Sequence, residues 1–158
     1  MNLFLTMALL SLAQDAPVSP SSSEEVSFGR WYPHDVALEL AQTHNRLVML
    51  YFHNEHCAFC QQMEMFVFSA PQVDKLLSGH FVVSAIDTLS PEGSDLVKRY
   101  RSRGTPTFIF LSYEASSDPG STENGSTGSW KEVARLFGSQ PRQAFAAELQ
   151  DICDSHCL

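Results

Sequence analysis

Positive charge is scarce in this chain. Its 158 residues carry 10 Lys and Arg against 18 Asp and Glu, a formal net charge of −8. Nucleic acid and anionic membrane surfaces are held through basic patches, so neither is expected as a partner. Long apolar runs are also missing. A membrane-spanning helix takes roughly 20 apolar residues, and no run of 18 or more is found, so the mature protein is expected to be soluble. Cysteine is limited to four residues, and no second Cys-x-x-Cys stands at the spacing of a zinc ribbon. No internal repeat is present.

What remains is an ordinary globular composition, 44% hydrophobic and 18% charged, at a length that suits one domain with a sizeable core. The first residues are different. Leu3 to Ala13 is an uncharged apolar run, too short to span a bilayer and of the length of a signal-peptide h-region. Ser11, Ala13 and Ala16 supply the small residues of a cleavage site, although Met1-Asn2 lacks the usual basic residue. With no cysteine near that site, a lipoprotein anchor is not expected. Pro17, Pro20 and Ser21-Ser22-Ser23 then read as linker. The expectation is a signal peptide over 1–16, a linker over 17–27 and one folded domain over 28–158, exported and periplasmic.

Apolar spacing from Asp35 to Thr43 predicts a helix closed by Asn45. Leu47 to Phe52 is a continuous apolar run, which marks a strand buried on both faces of a sheet. Gln61 to Phe68 reads as a helix, and Pro71 opens another through Leu77. Phe81 to Ile86 is a second buried strand, Ser94 to Tyr100 a helix, and Thr107 to Leu111 a third strand. Ser112 to Ser129, rich in Ser, Gly and Asp, reads as a long loop. Trp130 to Phe137 is a fourth strand, ended by Gly138, and Pro141 opens a last helix with Phe145, Leu149 and Ile152 on one stripe. Strands joined through a helix pair in parallel, and the last two strands can form an antiparallel hairpin.

The cysteines form two close pairs, Cys57/Cys60 and Cys153/Cys157. A Cys-x-x-Cys between a buried strand and a helix puts Cys57 at the helix N-terminus. Free N–H groups and the helix dipole there stabilise a thiolate. Such cysteines have pKa values of roughly 3.5–7.5, and the thiolate is the form that attacks a disulfide. Cys60, one turn further in, is placed to resolve the mixed disulfide. A structural disulfide, or a metal site completed by His53 and His56, stays open as an alternative. Cys153 and Cys157 share a helix face within disulfide range and read as a terminal staple, a second redox pair, or, with His156, metal ligands. Met63 and Met65 read as packing or rim residues, and Trp31, Phe66, Phe81, Phe108 and Phe110 as core or rim aromatics.

Gly104-Thr105-Pro106-Thr107 stands directly before the third strand. Together with the strand, the Cys57/Cys60 pair, the helix and the second strand ending in Asp87, it resembles the thioredoxin superfamily. More narrowly, the Phe-x-x-x-x-Cys-x-x-Cys-x-x-Met run from Phe52 to Met63, followed by Phe68-Ser69-Ala70-Pro71-Gln72-Val73, is similar to exported thioredoxin-like proteins. The resemblance covers roughly Trp31 to Ile152. It implies an α/β thioredoxin fold, a central mixed sheet flanked by helices, with Pro106 in cis before the third strand. It further implies Cys57 as nucleophile, Cys60 as resolving thiol, and Thr105 as the residue whose backbone pairs with a substrate peptide beside Pro106 and His56. The implied activity is thiol–disulfide exchange on protein disulfides, leaning toward a reductase or electron relay supplied by a membrane or soluble thiol donor. A monomer without cofactor or resident metal is expected. The alternative is a module that handles Cu(I) or Zn with the same thiols.

The departures are specific. Thioredoxin has Trp-Cys-Gly-Pro-Cys, whereas here His56 precedes Cys57, and Ala58-Phe59 separate the cysteines. Tyr51 stands where thioredoxin keeps a buried aspartate six residues ahead of the first cysteine. Another proton acceptor must then serve, and Glu55 and His56 are the nearest in sequence.

Overall fold

Six apolar residues in a row, Leu47 to Phe52, need cover on both sides, and the chain supplies it with helices. The computed structural model describes residues 31–115 and 128–157. The expected signal peptide, the linker and the first residues of the expected domain lie outside that range. Strand β1 (Leu47–His53) pairs in parallel with β2 (Phe81–Asp87) and antiparallel with β3 (Thr107–Ala115). Strand β3 in turn pairs antiparallel with β4 (Gly128–Phe137). The order across the mixed sheet is β2-β1-β3-β4.

Alternation along β1 sorts its side chains into two layers. Val48, Leu50 and Phe52 meet α1 (His34–His44) and α4 (Pro91–Tyr100), through Ala37, Ala41 and Leu96. Leu47, Met49 and Tyr51 face the other helices. These are α2 (Ala58–Gln62), the π-helical turns Met63–Phe68 that continue it, α3 (Pro71–His80) and α5 (Arg142–His156). Within the π-helical turns Met63, Val67 and Phe68 are buried while Glu64, Met65 and Phe66 face out. Burial at i, i+4 and i+5 fits the wider winding of i→i+5 hydrogen bonds.

Local chemistry explains the ends. Asn45 closes α1 in the left-handed conformation, φ 51°, which asparagine tolerates. Ser90 caps α4, its Oγ accepting from Gly93 N–H at 2.9 Å, with Pro91 in the first turn. The helix therefore starts three residues earlier than its apolar spacing suggests. Gly93 must be glycine, because a Cβ there would strike the Asp87 carbonyl.

The long loop expected over 112–129 is shorter at both ends. Ser112 to Ala115 continue β3, and Gly128 and Ser129 begin β4. This part of the hairpin is held by cross-strand pairs rather than by a covered face: Tyr113 on Trp130, and Lys131 to Glu114 at 3.1 Å. Its polar composition hides the strand, since polar residues suit an exposed ladder. The rest of the expected loop, 116–127, lies outside the described residues.

Candidate active site

The C-terminal ends of β1 and β2, the start of β3 and the end of β4 all meet at one end of the sheet. The segments leaving these ends carry Cys57, Thr88, Thr105 and Gly138. Cys57 is the N-cap of α2; its carbonyl accepts from the N–H of Cys60 and of Gln61, at 3.0 and 3.2 Å. Its Sγ accepts from Cys60 N–H at 3.1 Å. That donor, at a helix N-terminus, stabilises a negative sulfur once the disulfide is reduced and the thiol has lost its proton. Cys57 and Cys60 are joined by a disulfide, with Cα atoms 5.2 Å apart. Cys57 is 9% exposed and Cys60 1%, so an incoming sulfur reaches Cys57 first.

The Thr105–Pro106 peptide bond is cis. Asn54 ties this segment to the cysteine loop. Its Nδ2 donates to Thr105 Oγ1 at 3.4 Å and Thr88 Oγ1 at 3.2 Å, while its carbonyl accepts from Cys57 N–H at 3.2 Å. Pro106 passes its carbonyl to Gly138 N–H at 2.9 Å. Among the described residues, the Thr105 backbone N–H and carbonyl have no hydrogen-bond partner. They are available to an added strand. Phe59, Met65, Phe66 and Phe137, all more than half exposed, surround this end of the molecule with apolar surface.

His56 stands free of the cysteines: its ring is 78% exposed and pairs with Glu55 at 3.5 Å. Glu64, which spacing alone does not single out, is the carboxylate that the structure links to the Cys60 turn, through Tyr51. Fully buried Tyr51 donates to Glu64 Oε1 at 3.0 Å and approaches the Cys60 carbonyl at 3.4 Å. Its ring is stacked between His53 and Phe108, with centroids 5.0 and 5.2 Å away, and is met edgewise by Phe68. His53 Nδ1 lies 3.9 Å from the same Glu64 oxygen. Burial, and then the charge and hydrogen bond of Glu64, push the Tyr51 phenol well above its ordinary pKa, so it stays a protonated donor. Glu64 is 40% exposed, which links this buried phenol to water. A helical spacing of four from Cys60 was the one signal for Glu64 available in the sequence.

His53 and His56 do not gather with Cys57 and Cys60 as metal ligands. Among the described residues one group of three converges, and it is elsewhere: His80, Cys153 and Cys157. Cys153 and Cys157 are joined, with Cα atoms 4.7 Å apart. They sit at the far end of the sheet, where Cys157 shares a small cavity with Leu47, the first residue of β1. The six residue steps of β1 put roughly 20 Å between the two pairs. That distance rules out direct exchange between them within one molecule.

The model of the thioredoxin-like domain family matches residues 34–120, more than half of the chain. The thiol:disulfide interchange protein DsbD of Cronobacter sakazakii is 32% identical over 119 residues, which cover 74% of this chain and 18% of that protein. The chain thus spans less than a fifth of the length of the interchange proteins it matches. A thioredoxin from Thermus thermophilus superimposes with a TM-score of 0.67 at 48% identity, over 81% of this chain and 89% of that one. The C-terminal domain of Neisseria meningitidis DsbD shares the fold, with a TM-score of 0.53 at 21% identity over 74% and 91% of the two chains.

Proposed function

Because the chain belongs to the thioredoxin-like domain family, we propose that it is a thiol–disulfide oxidoreductase in which Cys57 and Cys60 carry the exchange and reduce disulfides of exported proteins. The observation that carries this reading is the pair itself: a sulfur at a helix N-terminus, its partner buried one turn in, and Thr105, whose backbone is unpaired, tied by its side chain through Asn54 to Cys57. A dithiol donor first reduces the Cys57–Cys60 disulfide and is itself oxidised. The Cys57 thiolate then attacks one sulfur of a substrate disulfide, a mixed disulfide forms, and the substrate's other sulfur leaves as a thiolate. Cys60, having given up its proton, attacks Cys57 Sγ. The intramolecular disulfide returns, and the second substrate sulfur departs.

Cys60 must lose its proton inside the molecule, and we assign the acceptor role to Glu64, which Tyr51 holds beside the Cys60 turn. An extended substrate segment lies along Thr105 and Pro106, with His56, Phe59 and Phe66 at the rim. The likeness to proteins named for thiol:disulfide interchange supports exchange chemistry at this pair. Export rests on the apolar run from Leu3 to Ala13. Among the described residues no helix is long and apolar enough to cross a membrane.

Trapping tests the roles of the two cysteines. Reduced Cys60→Ser, mixed with a disulfide-bonded protein, is expected to accumulate a mixed disulfide through Cys57, visible by mass. Cys57→Ser is expected to accumulate none. Equal capture by both variants, or by neither, contradicts the assignment.

A further inference from the structure

The far end of the sheet carries a cluster the redox reading leaves unused. His80 is the last residue of α3, and Cys153 and Cys157 stand four apart at the end of α5, which packs against α3. The imidazole nitrogen and both sulfurs lie within 4.8 Å of one another. Tetrahedral zinc, with Zn–S of about 2.3 Å and Zn–N of about 2.0 Å, needs donor separations of roughly 3.5–3.8 Å. Once the disulfide is reduced, the two sulfurs must separate from bonded distance to roughly 3.8 Å, and the exposed His80 side chain, at a helix end, move in by about 1 Å.

We propose that the dithiol form of Cys153 and Cys157, together with His80, binds one zinc ion, and that formation of the Cys153–Cys157 disulfide closes this site. Two thiolates and one neutral imidazole balance the charge of Zn(II) and match its preference for sulfur and nitrogen. The fourth position goes to water. Cys157 is only partly buried, and the cavity beside it, about 60 Å³, has room for one. The cluster is separate from Cys57 and Cys60 by the length of β1, so zinc here does not compete for the exchanging thiols. Opening the site consumes two electrons and two protons from a dithiol donor, which becomes a disulfide while the Cys153–Cys157 bond breaks. Binding then releases both thiol protons to water.

The test uses the full chain with Cys57→Ser and Cys60→Ser, so that one cysteine pair remains. A water-soluble phosphine reduces it: phosphorus takes the oxygen of one water, and that water's two hydrogens end on the thiols. Zinc is titrated in competition with a chromophoric chelator, and Co(II) is substituted to read the ligands. The expected result is one equivalent bound by the reduced protein and none by the oxidised, with a thiolate-to-cobalt charge-transfer band. His80→Ala should weaken binding by at least the ~10–100-fold that loss of an outer-shell partner costs. His156→Ala, which keeps all three proposed ligands, should bind like its parent. Circular dichroism of each variant confirms that it is folded. Absence of zinc uptake by the reduced protein overturns the proposal. So does affinity unchanged by His80→Ala, or lost in His156→Ala instead.

Discussion

Tyr51 donates a 3.0 Å hydrogen bond to Glu64, and that bond joins the middle of β1 to the π-helical turns that follow the cysteine pair. A phenol held above its ordinary pKa cannot act as the proton acceptor, but it can hold one in place. The role proposed for Glu64, 40% exposed and held by Tyr51, is that acceptor. Glu64→Gln is expected to lower kcat/KM for disulfide reduction by about 10²-fold, the lower end of what a positioned base supplies. Tyr51→Phe, which frees the carboxylate without removing it, should give a smaller loss. Stopped-flow rates decide this; a Glu64→Gln rate equal to the wild type refutes the role.

The same burial makes stability fall in alkali. Tyr51 is raised by burial first and Glu64 second; Tyr100 is raised chiefly by burial, opposed by Arg99 and helped by Asp35. A phenol whose folded pKa lies above its unfolded value of about 10 keeps its full stabilisation below that pH. Above it the unfolded chain has released the proton and the folded chain has not. Stability then drops by about 1.4 kcal/mol per pH unit for each such group. Urea melts between pH 9 and 11 should show that slope in the wild type and a shallower one in Tyr51→Phe. Equal slopes would contradict it.

Asn54 is a positioning residue whose loss should appear in substrate binding. Asn54→Ala removes the donors to Thr88 and Thr105, and the segment that carries Pro106 then loses its tie to the cysteine loop. The expected effect on a protein substrate is a KM several-fold higher with kcat less changed. A small aromatic disulfide, which needs no strand pairing, should react at nearly the wild-type rate. A uniform loss on both substrates would mean that Asn54 serves the cysteines rather than the substrate strand.

Phe108 anchors the layer beneath the site, fully buried against Tyr51, Phe68 and Phe145. Phe108→Ala is expected to cost about 3–5 kcal/mol in chemical denaturation. A cost below about 1 kcal/mol would show that this layer collapses freely and does not hold Tyr51.

Much of the fold is legible where burial is uniform. The apolar runs of β1 and β2 admit one reading, and the Cys-x-x-Cys between strand and helix marks the site by itself. The exposed part of the β3–β4 hairpin is harder, because strands built on pairs such as Glu114 with Lys131 carry no apolar alternation. Glu64 was hidden for another reason: whether it faces Tyr51 depends on the change from α to π winding just before it. Residues near in sequence, Glu55 and His56, looked closer to the cysteines than they are. His80 could not be joined to Cys153 and Cys157 without the packing of α3 on α5.

The most direct test is the reduction potential of the Cys57/Cys60 pair against glutathione buffers, in a variant with Cys153→Ser and Cys157→Ser so that one disulfide titrates. A value near about −270 mV is expected, at the thioredoxin end of the scale, where the pair gives electrons to substrate disulfides. A value near about −120 mV would make it an oxidant and contradict the direction proposed. A pair that never exchanges with glutathione would contradict the redox role altogether.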